Sequence, residues 1–236
     1  MKYPKAILSL LLLSSVAFAE PKGTLIFEDR FDRNESQETK EDIGKGWGSN
    51  SDKRAHGNKQ VDLRDGAMYI TFHASADHAV SVTHPAEFQD GVIELRFMLE
   101  DAKDSLGLNF ADLKFKEVHA GHLCMAKINT RSVQLADLKT GNMAMSIYDL
   151  KKAKKLTAEH KAMLKTKAEN VPNTLKAGTW YDLKTSIVGD TLSVTIDGKE
   201  VGSFSSEGIA HPTKRLLRLS VPRNAVIDDI KIYALK

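Results

Sequence analysis

Hydrophobic and polar residues alternate with a period of two along much of the chain. The clearest run is VIELRFML at residues 92–99, where four large apolar side chains alternate around Glu94 and Arg96. Similar runs occupy residues 67–74, 183–188, 192–196, 216–221 and 226–235, and Gly-containing turn dipeptides such as Asp65-Gly66 punctuate the chain around them. Short alternating strands separated by turns predict an all-β sandwich.

The strongest local signal is a β-hairpin at residues 191–204. Leu192, Val194 and Ile196 alternate with polar residues and are followed by Asp197-Gly198, a dipeptide that accepts the positive φ angles of a tight two-residue turn. The apolar pattern resumes at Val201. This spacing predicts two antiparallel strands joined at Asp197-Gly198.

One stretch departs from the β pattern. Residues 149–170 (DLKKAKKLTAEHKAMLKTKAEN) contain neither Gly nor Pro, are rich in helix formers and carry seven lysines. Thr157 is a suitable N-cap, and Pro172 is expected to end the helix. The sequence therefore predicts one helical insertion, around residues 150–170, between two strands.

The first residues have the features of a signal peptide. Lys2 and Lys5 precede an apolar run at residues 6–16, and Ala17-Phe18-Ala19 forms an A-x-A cleavage pattern. The run is shorter than the roughly twenty residues that span a bilayer as a helix. We predict a signal peptide at residues 1–19, one domain at residues 20–236, and a secreted or periplasmic location without a membrane span; an uncleaved anchor is the alternative.

Composition narrows the choice of partner. The formal net charge is +3 over 236 residues, and no basic stripe is interleaved with aromatic residues, so we expect no nucleic acid partner. Cys124 is the single cysteine and is flanked by Leu123 and Met125, which predicts a buried thiol and excludes an internal disulfide. The oligomeric state is left open.

Several short motifs resemble one superfamily. They are FEDRFDR at residues 27–33, GKGW at 44–47, GTWYDL at 178–183, IDGK at 196–199 and VIDDIKIY at 226–233. Together they are similar to concanavalin A-like lectin/glucanase domains, which include laminarinase-type modules and the 3-keto-disaccharide hydrolase-like domains of planctomycete-type secreted proteins. The resemblance implies an antiparallel two-sheet jelly roll with one concave sheet, adjacent first and last strands, and a carbohydrate partner.

The chain departs from the enzymes of that superfamily. Retaining β-glucanases of this fold carry an E-x-D-x-E or E-x-D-x-x-E strand that places two carboxylates about 5 Å apart. No run in this sequence has that spacing. We therefore favour a non-catalytic glycan-binding domain. An enzyme acting on 3-keto-glycosides or related disaccharides, using Asp112, Glu117 or His119, is the first alternative, and a protein that docks an acidic partner on its lysine-rich helix is the second.

Five residues are the candidate ligand contacts. Asn109, Asp112 and Lys114 are expected to share a polar sheet face, with His119 at a nearby turn. Trp47 lies in a Gly-rich loop, where an exposed ring would stack on a sugar. Trp180, which begins a predicted strand, is expected in the core instead.

Two metal sites are considered. The resemblance implies a structural calcium ion held by carboxylates of the terminal strands, here Glu28 and Asp228. The other arrangement is His119-Ala-Gly-His122 followed by Cys124, which has zinc-binding side chains. Its i, i+3 spacing suits a turn better than a zinc site, so calcium is favoured over zinc. The alternative for Glu28 and Asp228 is that these carboxylates end strands, satisfy turns or face water and hold no metal.

Overall fold

The computed structural model of the protein describes residues 23–35 and 37–235. The predicted signal peptide, residues 1–19, lies outside these residues, so cleavage and export stay predictions. None of the helices within the described ranges is long and apolar enough to cross a membrane.

Strands dominate the described part of the chain. In order they are β1 (Thr24–Asp29), β2 (Gly48–Ser49), β3 (Val61–Arg64), β4 (Ala67–Thr71), β5 (Val80–Phe88), β6 (Gly91–Met98), β7 (Ser105–Ala111), β8 (His122–Asn129), β9 (Ser132–Asp137), β10 (Ala168–Pro172), β11 (Trp180–Val188), β12 (Thr191–Ile196), β13 (Lys199–Ser205), β14 (Lys214–Val221) and β15 (Asn224–Ala234). The helices are α1 (Ser51–Arg54), α2 (Met145–Lys152) and α3 (Ala158–Lys165).

The strands form two antiparallel sheets. One has the order β13-β12-β11-β6-β15-β4-β3, with β1 also paired to β15, and is called the eight-stranded sheet. The other has the order β10-β9-β8-β7-β14-β5-β2 and is called the seven-stranded sheet. The fold is the predicted two-sheet antiparallel sandwich.

The alternating pattern of the sequence is the burial pattern of the strands. Along β6, Ile93, Leu95 and Phe97 are buried, whereas Glu94 and Arg96 lie on the opposite, more accessible face. The inward side chains of both sheets form one hydrophobic core, which includes Cys124. The predicted burial of this thiol is therefore confirmed, and burial raises the pKa of Cys124 to about 12.

The terminal strands meet as predicted. Phe27 of β1 pairs with Ile232 of β15, and Asp29 pairs with Ile230. The hairpin is also confirmed, because Asp197 and Gly198 have φ angles of 49° and 74° and connect β12 to β13. Both central residues therefore lie in the left-handed region that this turn requires.

The helical insertion differs from the prediction in its extent. It consists of two short helices, α2 and α3, and the chain then enters strand β10, which includes Pro172. Thr157 caps α3 as predicted, in a capping box with His160. Residues 168–172 are extended because they pair with β9 and form the edge strand of the sheet, and proline is tolerated in an edge strand.

Asp29 anchors the N-terminal segment. Its carboxylate is fully buried and accepts hydrogen bonds from the backbone of Phe31, from Arg33, from Lys45 and from the indole of Trp47. Burial raises the pKa of Asp29, but these hydrogen bonds outweigh it and lower the pKa to about 2. The ion pair thus fastens β1 to the loop that carries Trp47.

The two tryptophans exchange the places that the sequence predicts. Trp47 is buried, and its ring packs against Phe27, Phe31 and His84. Trp180 is half-buried and lies on the outer face of the eight-stranded sheet, where the guanidinium of Arg96 is 5.0 Å from its ring centroid. The predictions of an exposed Trp47 and a core Trp180 are therefore wrong. Trp47 is buried because its indole N–H donates to the Asp29 carboxylate inside the protein.

Replacing Asp29 by Asn removes the anion that Arg33 and Lys45 share. Because breaking a buried ion pair leaves uncompensated charge, we expect the free energy of unfolding to fall by roughly 3–5 kcal/mol in urea denaturation. The matched control is Asp32→Asn, at an exposed position nearby. Equal stability of the two variants would contradict the anchoring role of Asp29.

Candidate functional site

The outer face of the seven-stranded sheet carries a polar cluster. Strand β14 lies between β7 and β5, and Arg218 is paired directly with Asn109 on one side and with Thr83 on the other. Leu217 and Leu219 are fully buried in the core, so the side chain of Arg218 points outward. Paired residues share a face, and Asn109 therefore projects outward beside it.

Three side chains form what we call the Arg218 cluster, namely Asn109, His122 and Arg218. His122 contacts both of the others. The Asn109 Oδ1 lies 2.9 Å from the His122 Nδ1. The Arg218 Nη1 lies 2.9 Å from that nitrogen and 3.1 Å from Nε2. A neutral imidazole has one N–H and one lone-pair nitrogen, so the ring can bond the amide and also accept a hydrogen bond from the guanidinium.

The environment of the cluster keeps His122 neutral. Burial lowers the pKa of the imidazole, and the adjacent positive charge of Arg218 lowers it further, to about 3. Burial also lowers the pKa of Arg218, although guanidinium stays charged in proteins. The cluster therefore consists of a buried amide, a neutral imidazole and one cation at ordinary pH.

The turn before β8 forms the rim of this cluster. The His119 ring is stacked on Tyr148 of α2, with centroids 3.9 Å apart and an interplanar angle of 7°, and lies 6.4 Å from the His122 ring. Gly121 has a φ of +72°, and a Cβ there would lie 2.5 Å from the carbonyl oxygen of Asp112. Glycine is therefore required where this turn approaches the end of β7.

Asp112 follows β7 and is held in its own network. Its Oδ1 accepts from the backbone N–H of Lys114, and its Oδ2 accepts from Arg215 and from His211 at 3.3 Å. Burial raises the pKa of Asp112, but these hydrogen bonds and the charge of Arg215 outweigh it and lower the pKa overall. Lys114 is exposed in the turn, so the expected common sheet face with Asn109 does not exist.

Of the five predicted ligand contacts, the structure brings two close together. Asn109 belongs to the Arg218 cluster, and His119 lies beside it. Asp112 is at the edge, with its carboxylate occupied, and Lys114 is outside the cluster. Trp47 is on the inner side of the sandwich and is bonded to Asp29.

The two carboxylates of the predicted calcium site each face a cation. Glu28 lies 3.3 Å from Arg30 and 4.0 Å from Lys231, and Asp228 lies 3.3 Å from Arg96. Within residues 23–35 and 37–235, no group of three His, Cys, Asp or Glu side chains is placed to hold a metal. A structural calcium ion at Glu28 and Asp228 stays a prediction. Cys124 lies in the core, which argues against zinc at the His119 turn.

Carboxylates are scarce on the outer face of the seven-stranded sheet. Among its described strand positions, Glu87 is the acid that alternation places outward on the central strands, and it lies 3.6 Å from Arg215. Arg215 also binds Asp112, so one guanidinium joins the two acids. A general acid in a glycosidase needs a raised pKa, whereas the pKa of Asp112 is lowered.

The eight-stranded sheet has a cavity of about 590 Å³ on its own outer face. It is lined by side chains of both charges, among them Arg96, Asp182 and Lys231. Arg96 is paired with Asp182 at 3.8 Å and with Asp228 at 3.3 Å. The charges of this surface are largely compensated within the protein, which distinguishes it from the Arg218 cluster.

Sequence reasoning missed Arg218 and the role of His122. The alternation in LLRLSV at residues 216–221 places Arg218 on an outward face, but nothing local shows that β14 lies beside β7. His122 and Arg218 are 96 residues apart. Only the strand order of the sheet brings them into contact.

Comparison with known proteins establishes the fold. No protein-family model matches the chain, and no curated protein matches its sequence. The carbohydrate-binding module CBM66 from Bacillus subtilis is 14% identical, with a TM-score of 0.53, and the match covers 80% of this chain and 96% of that chain. The laminarinase from Rhodothermus marinus is 11% identical, with a TM-score of 0.61 and coverage of 92% and 99%. The endo-β-1,3-glucanase from Pyrococcus furiosus is 13% identical, with a TM-score of 0.55 and coverage of 92% and 96%.

These neighbours place the chain in a fold class. It is a concanavalin A-like jelly-roll sandwich, as the sequence motifs predict. At 11–14% sequence identity this likeness shows the fold alone and assigns no role to the chain. Whether it cleaves a glycan must be argued from its own side chains.

The lowered pKa of His122 predicts a pH-dependent effect on stability. The folded protein resists protonating this imidazole, whereas the unfolded chain protonates it below its ordinary pKa of 6.5. The wild-type protein is therefore expected to lose stability relative to His122→Gln as the pH falls from 6.5 to about 3. Urea unfolding of both proteins across this range measures the effect. A stability difference that is independent of pH would contradict it.

Proposed function

We propose that this protein is an exported glycan-binding domain that holds its ligand without cleaving it. The observation that carries this proposal is the Arg218 cluster, in which a neutral imidazole and a guanidinium face outward from adjacent strands beside the buried Asn109 amide that bonds the imidazole. Such groups hydrogen-bond to hydroxyl and ring oxygens, and few but fixed polar groups are typical of specific ligand sites. Export rests on the signal peptide that the sequence predicts.

The cluster is held rigidly, which favours binding. All seven residues of β7 are buried, including Asn109. His122 begins β8, and Arg218 lies in the middle of β14. Polar groups on paired strands are positioned more accurately than groups on loops, and little conformational entropy is lost when a ligand binds them.

The arrangement of acids supports a non-catalytic role. Glu87 and Asp112 both contact Arg215, and the lowered pKa of Asp112 makes this carboxyl unsuited to act as a general acid. The alternative, an enzyme acting on 3-keto-glycosides, would need converging acid and base groups. Its candidates do not converge, because Asp112 is bound to Arg215, Glu117 is exposed in a loop and His119 is stacked on Tyr148.

A bulky residue on the outer face of the seven-stranded sheet should block binding. Ser220 projects outward two residues after Arg218, and a Cβ added at Gly107 would lie 3.3 Å from its Cβ. We expect Ser220→Trp to abolish retention in affinity electrophoresis through gels that contain neutral or acidic polysaccharides. The polysaccharides should release no reducing ends when incubated with the wild-type protein.

The matched control is Ser186→Trp, which places the same ring on the outer face of the eight-stranded sheet. This variant should retain binding. Loss of binding in Ser186→Trp with retention in Ser220→Trp would move the site to the other sheet. A wild-type protein that binds none of the polysaccharides would overturn the proposed function.

A further inference from the structure

The outer face of the seven-stranded sheet carries positive charge without a matching anion. Arg218 and Lys127 both point outward, on β14 and β8. Among the residues that the structure describes, neither has a carboxylate within salt-bridge distance. Other arginines of the fold are paired, as Arg215 is with Asp112 and Arg96 is with Asp228. Arg218 therefore differs from these two arginines, because it has no carboxylate partner among the described residues.

The contacts of Arg218 leave its charge uncompensated. Its Nη1 contacts the neutral His122 ring, and its Nη2 donates to the backbone oxygen of Ala120 at 3.4 Å. The side chain is half-buried, and burial of a cation is costly unless an anion compensates it. A guanidinium held in this way favours an oxyanion that can accept two parallel hydrogen bonds.

A second charge lies along the same face. Lys127 is paired with Gly107, two residues from Asn109, which is itself paired with Arg218. With strands about 4.8 Å apart and about 3.4 Å of rise per residue, the Cα atoms of Arg218 and Lys127 are separated by roughly 12 Å. Two cations at this separation would meet charged groups on different sugar units of one chain.

The lysine-rich insertion adds a longer-range field on the same side. Tyr148 of α2 is stacked on His119, which lies beside the Arg218 cluster. Exposed lysines follow on α2 and in the turn after it, at Lys151, Lys152, Lys154 and Lys155. Such charges attract a polyanion over about one Debye length, roughly 8 Å at physiological salt.

We infer that the face bearing the Arg218 cluster binds an anionic oligosaccharide, with Arg218 receiving a carboxylate or sulfate group of the sugar. This inference rests on the proposed glycan-binding function and specifies its ligand class. The neutral imidazole of His122 holds the guanidinium in place, and the Asn109 amide holds the imidazole. Lys127 then contacts a second anionic group further along the chain.

The experiment measures the affinity of the purified protein by isothermal titration calorimetry. The probes are oligogalacturonate, which carries carboxylates, dextran sulfate, which carries sulfate esters, and laminarin, which is neutral. We expect at least one acidic probe to bind more tightly than laminarin, and its affinity to fall with added NaCl. The acidic probe that binds with the higher affinity identifies whether Arg218 receives a carboxylate or a sulfate group.

Arg218→Gln is expected to weaken the affinity for the acidic probe by about tenfold to a hundredfold. This is the range that the loss of a hydrogen bond to a charged group implies. Arg64→Gln is the matched control, because it removes the same charge from the exposed surface of β3 on the other sheet and should leave affinity unchanged. Arg218→Lys keeps the charge and should retain part of the acidic binding. It also serves as the test variant if Arg218→Gln does not fold.

The outcomes separate this inference from the proposed function. Binding of laminarin alone, or an equal loss for Arg218→Gln and Arg64→Gln, overturns the anionic ligand and leaves glycan binding intact. Affinity for the acidic probes that does not change with salt also overturns it. Failure to bind any of the three probes, or other polysaccharides, overturns the proposed function itself.

Discussion

The register of β14 against its neighbours determines what the outer face of the seven-stranded sheet presents. Successive side chains of a strand point to opposite faces, so a shift of one residue would bury Arg218 and expose Leu217 and Leu219. The burial of these two leucines in the core fixes the register. The polar cluster is therefore a consequence of hydrophobic packing on the other side of the same strand.

The hydrogen bonds and ion pairs of Asp29 hold strand β1 in place at the edge of the fold. β1 is short and its residues 24–26 are exposed, so its pairing with β15 gains little from burial. The carboxylate adds an anion that the loop at residues 43–47 encloses, with Arg33 also donating to the carbonyl oxygen of Ile43. An ion pair thus compensates for the small apolar contribution of the first strand.

Much of the fold was predictable from local patterns, because period-two alternation and turn dipeptides are short-range signals. The hairpin at Asp197-Gly198 and the cap at Thr157 both form as expected. The predictions were wrong at positions where contacts between residues far apart in the sequence determine the structure. Residues 168–170 have helix-compatible composition but pair with β9, and Trp47 is buried because Asp29, 18 residues away, accepts its N–H. Asn109 could be predicted as a site residue from its polar character, whereas identifying Arg218 required the strand order of the sheet.

The burial of Cys124 has a consequence for following the protein in solution. The thiol lies in the shared core of both sheets, and burial raises its pKa to about 12, so the reactive thiolate is scarce in the folded state. A thiol-modifying reagent would gain access only when the two layers separate. The rate of Cys124 alkylation therefore reports the opening of the sandwich. Measuring it requires neither a label nor an added mutation.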